Sequence, residues 1–147
     1  MTPAEMRHVY ENIWIGQVWN KGDITNLSSI FSPEFKDHRP IPQFENSVKG
    51  HGEMALDWCR AFPDMTFEIQ ETIVEGNQLV ARYIAKGTHQ GVLLGIEPTG
   101  AAVTLTGIDI FKFENGKVTD WWHEEDFDEM MKPILAANEK LALESMA

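Results

Sequence analysis

Basic residues are scarce in this chain. Lysine and arginine total 12 against 23 aspartates and glutamates, a net charge of −11 with a sequence pI near 4.8. That balance excludes nucleic acid and anionic membrane surfaces as partners, because both need a positive field. Cysteine is almost absent: Cys59 stands alone, cannot form an internal disulfide, and sits in an apolar helical pattern that marks it as core rather than nucleophile. A chain with one cysteine and no apolar signal-peptide core at its N-terminus is expected in the reducing cytoplasm. No apolar run approaches the roughly 20 residues needed to span a bilayer. No histidines lie four apart on a helix, and no histidine–carboxylate spacing matches a known metal site, so no metal is expected. Linkers, internal repeats and low-complexity segments are also missing, and 147 residues suit a single domain, 1–147.

What is present is a run of helices followed by a run of strands. Residues 3–20 predict a helix with Met6, Val9, Tyr10 and Ile13 at helical spacing and Trp14, Val18 and Trp19 widening the stripe. Gly22 suits the left-handed position that ends it. A short helix follows, with Leu27, Ile30 and Phe31 inward and Ser32–Pro33 as its stop, then an extended piece at Phe35–His38. Ile41 to Gly50 reads as a polar loop placed to act as a flap. Gly50-His51-Gly52 opens a third helix with Met54, Ala55, Trp58, Cys59 and Phe62 on its apolar face.

Four strands come next: Met65–Ile73, Leu79–Lys86, Val103–Phe113 and Val118–Phe127. Glu75-Gly76-Asn77 turns the first into the second. Asn115–Gly116 joins the last two, a pairing in which both residues tolerate positive φ. A helix from about Asp128, with Pro133 near its start, closes the chain. Helices first and hairpin-joined strands after predict an α+β fold. A curved antiparallel sheet is packed against N-terminal helices to form a cone with an internal pocket.

The hairpin also carries the candidate chemistry. Asp109 shares a strand face with Val103, Leu105, Phe111 and Phe113; burying its charge unpaired is expensive, so it needs a partner, a proton or water. His38, Arg82 and His123 are the candidate partners. Asp126 follows Trp122 by four residues and is either an acid/base group or the cap of the last helix. Trp122 and His123 alternate, so strand phase admits one of them to the pocket, and Trp122 is the favoured one; a bulge there would exchange the faces. Trp14, Trp58, Tyr83 and Phe111 are the remaining candidate pocket walls. Glu124, Glu125, Asp128 and Glu129 read as a solvated acidic face, His8 and His51 as solvated, and His89 as structural, its ring bonding nearby backbone.

Ordered along the chain, FKDHRP around His38, FPDM at 62–65, EGN at 75–77, GTHQG at 87–91, GIEPTG at 95–100, GIDIF at 107–111 and GKVTDWW at 116–122 followed by Asp126 carry a resemblance. Together they resemble the SnoaL-like polyketide cyclases, also described as predicted ester cyclases, of the nuclear-transport-factor-two-like α+β cone superfamily. The resemblance covers residues 5 to 132. It implies a cofactor-free intramolecular aldol condensation on a hydrophobic, carbonyl-bearing small molecule, with Asp126 as general acid/base and His38 as a pocket histidine. The histidine that the family carries on the strand before the last turn is absent here, and Asp109 is the polar residue on that strand. A homodimer through the sheet is also implied. Two other functions fit the same frame. One is epoxide opening or hydration by water activated between Asp126, Arg82 and Asp109; the other is non-catalytic small-molecule binding.

Overall fold

A computed structural model describes residues 1–147. Helix α1, Pro3–His8, is opened by a reciprocal cap in which the Thr2 hydroxyl accepts from the Glu5 amide and the Glu5 carboxylate accepts from the Thr2 amide. It runs without a break into a π-helical stretch, Val9–Trp19. The wider turn explains its buried set: Val9, Tyr10, Trp14, Ile15 and Val18 recur four or five residues apart, and Ile13, expected on the inward stripe, is only half-buried. Helix α2, Leu27–Ile30, is a single turn that buries Leu27 and Ile30. Strand β1, Phe31–Asp37, follows directly, with Pro33 tolerated because the strand lies at the sheet edge.

The Ser47 hydroxyl caps helix α3, Val48–Ala61. Strands β2 (Thr66–Glu75), β3 (Gln78–Thr88), β4 (Ala102–Glu114) and β5 (Lys117–Glu125) then form an antiparallel meander, and helix α4, Phe127–Ser145, ends the chain. The sheet order is β1-β5-β4-β3-β2. The strand reading thus holds for four antiparallel strands; the fifth, β1, had been visible only as a short extended piece and pairs parallel to β5. Asn115 and Gly116 have φ of 51° and 78°, the geometry the tight β4–β5 hairpin requires.

One sheet face is concave and apolar. Leu79, Ala81, Tyr83 and Ala85 of β3 and Val103, Leu105, Asp109, Phe111 and Phe113 of β4 point into it, and the N-terminal helices pack against it. Register breaks between Ile69 and Glu71 and between Lys112 and Phe113 bend the sheet. Aromatic rings fill the concavity: Trp14 meets Phe111 at 4.8 Å and Trp121 at 5.2 Å between centroids, both edge-on. Where β5 has ended, α4 takes up the free edge of β4, and the Asp126 amide donates to the Thr106 carbonyl at 3.0 Å. No helix is long and apolar enough to cross a membrane.

The loop at 38–47 is fastened at its C-terminal end. Asn46 makes two bonds to the Asp37 backbone, accepting from its amide and donating to its carbonyl, both at 2.8 Å. The Glu45 carbonyl lies where a side chain on Gly50 would begin, 1.7 Å from an ideal Cβ. Gly50→Ala should therefore push the loop off α3. We expect a loss of about 1–3 kcal/mol in urea unfolding, with amide exchange rising at 44–47 and unchanged in the meander.

Candidate active site

The β4–β5 register decides which side chains enter the cone. Lys112 pairs with Asp120 but Phe113 pairs with Val118, so β5 carries one extra residue at Thr119. Counting by two from Val118 would turn Trp122 inward. The bulge instead sends Trp121, His123 and Glu125 inward and Trp122 out. Trp122 lies on the convex face, stacked on His38 at 4.4 Å, and the His38 ring bonds Asp120 at 2.8 Å. The expectation that Trp122 rather than His123 faces the pocket is thus reversed.

Asp109 is wholly enclosed, and each carboxylate oxygen accepts one side-chain bond. The Tyr10 hydroxyl donates to Oδ2 at 2.6 Å and the Trp121 indole N–H to Oδ1 at 2.9 Å. These are its partners, in place of the expected His38, Arg82 or His123. Arg82 is on the convex face, half-exposed and paired with Glu71 at 3.2 Å, because β3 alternates and its odd-numbered residues line the cone. Burial raises the Asp109 carboxyl to about 7; the two donated bonds pull it down, and Glu125 and His123 push in opposite directions. Tyr10 and Tyr83 are both driven up, first by burial and next by the charge of Asp109, and remain phenols.

His123 sits across from Asp109 in the strand register. Its Nε2–H donates to Asp37 Oδ1 at 2.7 Å, and Nδ1–H donates to Glu125 Oε1. Carboxylates only accept, so both ring nitrogens carry protons and the ring is an imidazolium. Burial opposes that charge, but the bonds to Asp37 and Glu125 outweigh it and bring the histidine to about 9. The ring also stacks on Trp121 at 3.7 Å. Glu125 is drawn in with it, its side chain 6% exposed, and its Oε2 has no partner. It does not belong to a solvated acidic face. These three groups bond one another in a line, and no group of three is placed to hold a metal ion.

His51, expected at the surface, is buried at the start of α3. The Gly-His-Gly run that suggested exposure instead lets the helix approach the core closely, and both flanking glycines are buried. Its Nε2 accepts the Trp14 indole proton at 2.9 Å, and burial holds the ring neutral, lowering it to about 4. His89 is structural as expected: its Nδ1 accepts from the Thr99 amide at 3.3 Å and bonds the Thr99 hydroxyl at 2.9 Å.

The structure therefore brings together Tyr10, Trp14, Asp37, His51, Tyr83, Asp109, Phe111, Trp121, His123 and Glu125. It leaves Asp126, His38, Arg82 and Trp122 outside this group. Asp126 is exposed, and its Oδ1 accepts from the Glu129 amide at 3.2 Å as the cap of α4. Trp58 lies half-buried against Phe62, away from the carboxylates, with its indole N–H unpaired. Sequence reading missed Asp37, His51, Glu125 and Tyr10 as polar members. Asp37 was findable, two residues beyond Phe35 on one strand face, and so was Glu125, two beyond His123.

The model of the SnoaL-like polyketide cyclase family matches residues 5–134. Among solved structures, the chain resembles TsrD from Streptomyces laurentii with a TM-score of 0.81 and 26% identity, covering 91% of this chain and 97% of that one. It resembles IdmH from Streptomyces antibioticus, a candidate polyketide cyclase, with a TM-score of 0.72 and 22% identity over 89% and 96% of the two chains. A SnoaL-like polyketide cyclase from Agrobacterium tumefaciens gives 0.65 and 18% over 80% and 89%. No curated protein matches the sequence significantly.

The two histidines make opposite contributions to stability against pH. His51 is depressed in the fold, so its contribution is present above the unfolded value near 6.5 and is lost as pH falls through about 4. His123 is raised, so its contribution is full below the unfolded value and lost as pH rises through about 9. Asp109 is raised as well and weakens the fold as pH climbs through about 7. Unfolding free energy should peak between these limits. His51→Gln should flatten the acid limb and His123→Gln the alkaline one, as measured by urea titration across pH.

Proposed function

The chain belongs to the SnoaL-like polyketide cyclase family, and from that premise we propose a cofactor-free acid/base enzyme that closes a ring on a hydrophobic, carbonyl-bearing small molecule by intramolecular aldol condensation. The observation that carries this reading is Asp109, a carboxyl buried among aromatics and brought to about 7. A group with that value is both base and acid near neutral pH. As carboxylate it takes an activated α-proton, breaking a C–H bond and leaving an enolate. The enolate carbon attacks the acceptor carbonyl, a C–C bond forms, and the new alkoxide takes the proton back. Nothing is oxidised and no water is consumed. Each Asp109 oxygen keeps a lone pair beyond the bonds from Tyr10 and Trp121. The His123 imidazolium, across the strand pair, supplies positive charge where the enolate and alkoxide oxygens develop. The buried rings of Trp14, Tyr83 and Phe111 supply the apolar surroundings of the carboxyl.

The resemblance assigns the proton shuttle to Asp126, and a paired substitution separates the two carboxylates. With a polyketide methyl ester bearing an activated methylene as substrate, Asp109→Asn should lower kcat/KM by about 10²–10⁴-fold. Asp126→Asn, which preserves an equally good helix cap, should leave rate and stability nearly unchanged. The reverse pattern would return the role to Asp126. Running the reaction in ¹⁸O-water distinguishes the chemistry. Ring closure yields an isomer of the substrate, whereas hydration or epoxide opening adds one labelled water, and ester hydrolysis puts the label in the carboxylic acid it releases.

We further propose that a second copy covers the convex sheet face. Ile73 and Ile108 are 58% and 46% exposed there, beside half-buried Val80, Ile84, Ile110 and Trp122. Sedimentation should give a dimer for the natural chain and a monomer for Ile108→Glu.

A further inference from the structure

A narrow cleft runs under the 38–47 loop and ends on two polar side chains. Its walls are Phe35, Pro40, Ile41, Phe44 and Met54, and at its floor are Asp37 and His51. The two polar groups are complementary in what they leave unused. Asp37 takes both of its side-chain bonds on Oδ1, from the His123 ring at 2.7 Å and the Arg39 amide at 2.8 Å, which leaves Oδ2 as a bare acceptor. His51 has one nitrogen committed. Because an indole N–H can only donate, Trp14 makes Nε2 the acceptor, and the neutral ring must then carry its proton on Nδ1. That Nδ1 is buried and has no partner. An orphaned buried donor is costly, on the order of 1–3 kcal/mol, and no protein group relieves it.

We propose that His51 Nδ1–H is the donor for a ligand carbonyl oxygen, a ketone or ester, held in the cleft between Asp37 and the apolar loop. Trp14 acts as the positioning residue that fixes the tautomer. The inference rests on the acid/base reading above and deepens it: it states where the carbonyl docks and which neutral group polarises it. A neutral donor suits a carbonyl better than an imidazolium would here, since a charged ring beside Asp37 would bind that carboxylate instead. The free volume at present is about 10 Å³, room for roughly one water, so a ligand displaces the loop tip. That motion is allowed locally. The loop is bonded to the rest of the chain at its two ends, through His38 and Arg39 and through Asn46, while residues 40–43 between them are exposed and bond nothing outside the loop.

The test is binding, read without turnover. The folded full chain, labelled with ¹⁵N-histidine, is titrated with methyl acetoacetate up to its solubility limit. Before ligand, His51 should show the Nδ1–H tautomer; on titration that nitrogen and its proton should shift saturably. His51→Phe, which keeps the ring volume, should weaken binding about tenfold, the value of one hydrogen bond. Trp14→Phe should redistribute the tautomers and weaken binding less. Asp109→Asn should bind within about threefold of the natural chain, so a failed catalytic assignment leaves this result intact. An Nε2–H tautomer, the absence of a saturable shift, or unaltered affinity in His51→Phe each overturns the proposal.

Discussion

The carboxyl of Asp109 is the constraint on which the rest of this structure depends. A charge cannot be left in an aromatic interior without bonds, and the two it receives come from the two layers of the domain, helix and sheet. Tyr10 belongs to the N-terminal helical run and Trp121 to the last strand. Each bond therefore ties one wall of the cone to β4. Both arrangements that deliver these donors depart from regular geometry. The π-helical winding places Tyr10 and Trp14 in successive inward positions, and the Thr119 bulge turns Trp121 inward. Local irregularity is what makes the burial affordable.

The same irregularities explain which parts of the molecule were legible in the sequence. Hairpins announced themselves through Asn115–Gly116 and Gly76, whose positive φ is dictated by residue type. The alternation of β4 was readable because nothing interrupts it from Val103 to Gly107, Asp109 and Phe111. Elements that depend on partners were harder. Strand β1 is held by a parallel neighbour more than 80 residues later in the chain, and no local signal encodes such a pairing. On β5, a two-residue period misassigned Trp122 and His123 because the bulge is a property of the strand pair. His51 failed for another reason: glycines on both sides of a histidine look like a loop, while here they permit close helix packing, with Gly52 held against Leu27 and Ile24.

The candidate site follows from these corrections. Sequence order placed two carboxylates on one hairpin, and in three dimensions one of them, Asp126, terminates the sheet and begins a helix. The interior carboxylates beside Asp109 are instead Asp37 and Glu125, brought together by His123. Three acids around one imidazolium leave the cluster formally negative even with His123 charged. The raised value of Asp109 comes from burial first; the charge of Glu125 adds a smaller upward push that His123 opposes. A site built this way retains a proton in its interior near neutral pH, which is the condition ring closure by proton exchange requires.

Two histidines whose rings both pack against Trp121 thus hold opposite protonation states for structural reasons. His123 has two carboxylates and no alternative to charge; His51 has an indole donor and no room for charge. Asp37 lies between them, bonded to the first and facing the same cleft as the second. Neutralising Asp37 would weaken the hold on the imidazolium and at the same time remove the bare acceptor at the cleft floor. The polarity of the cleft and the charge inside the cone are therefore a single electrostatic arrangement, set by the point where β1 meets β5 and Asp37 pairs with Trp121.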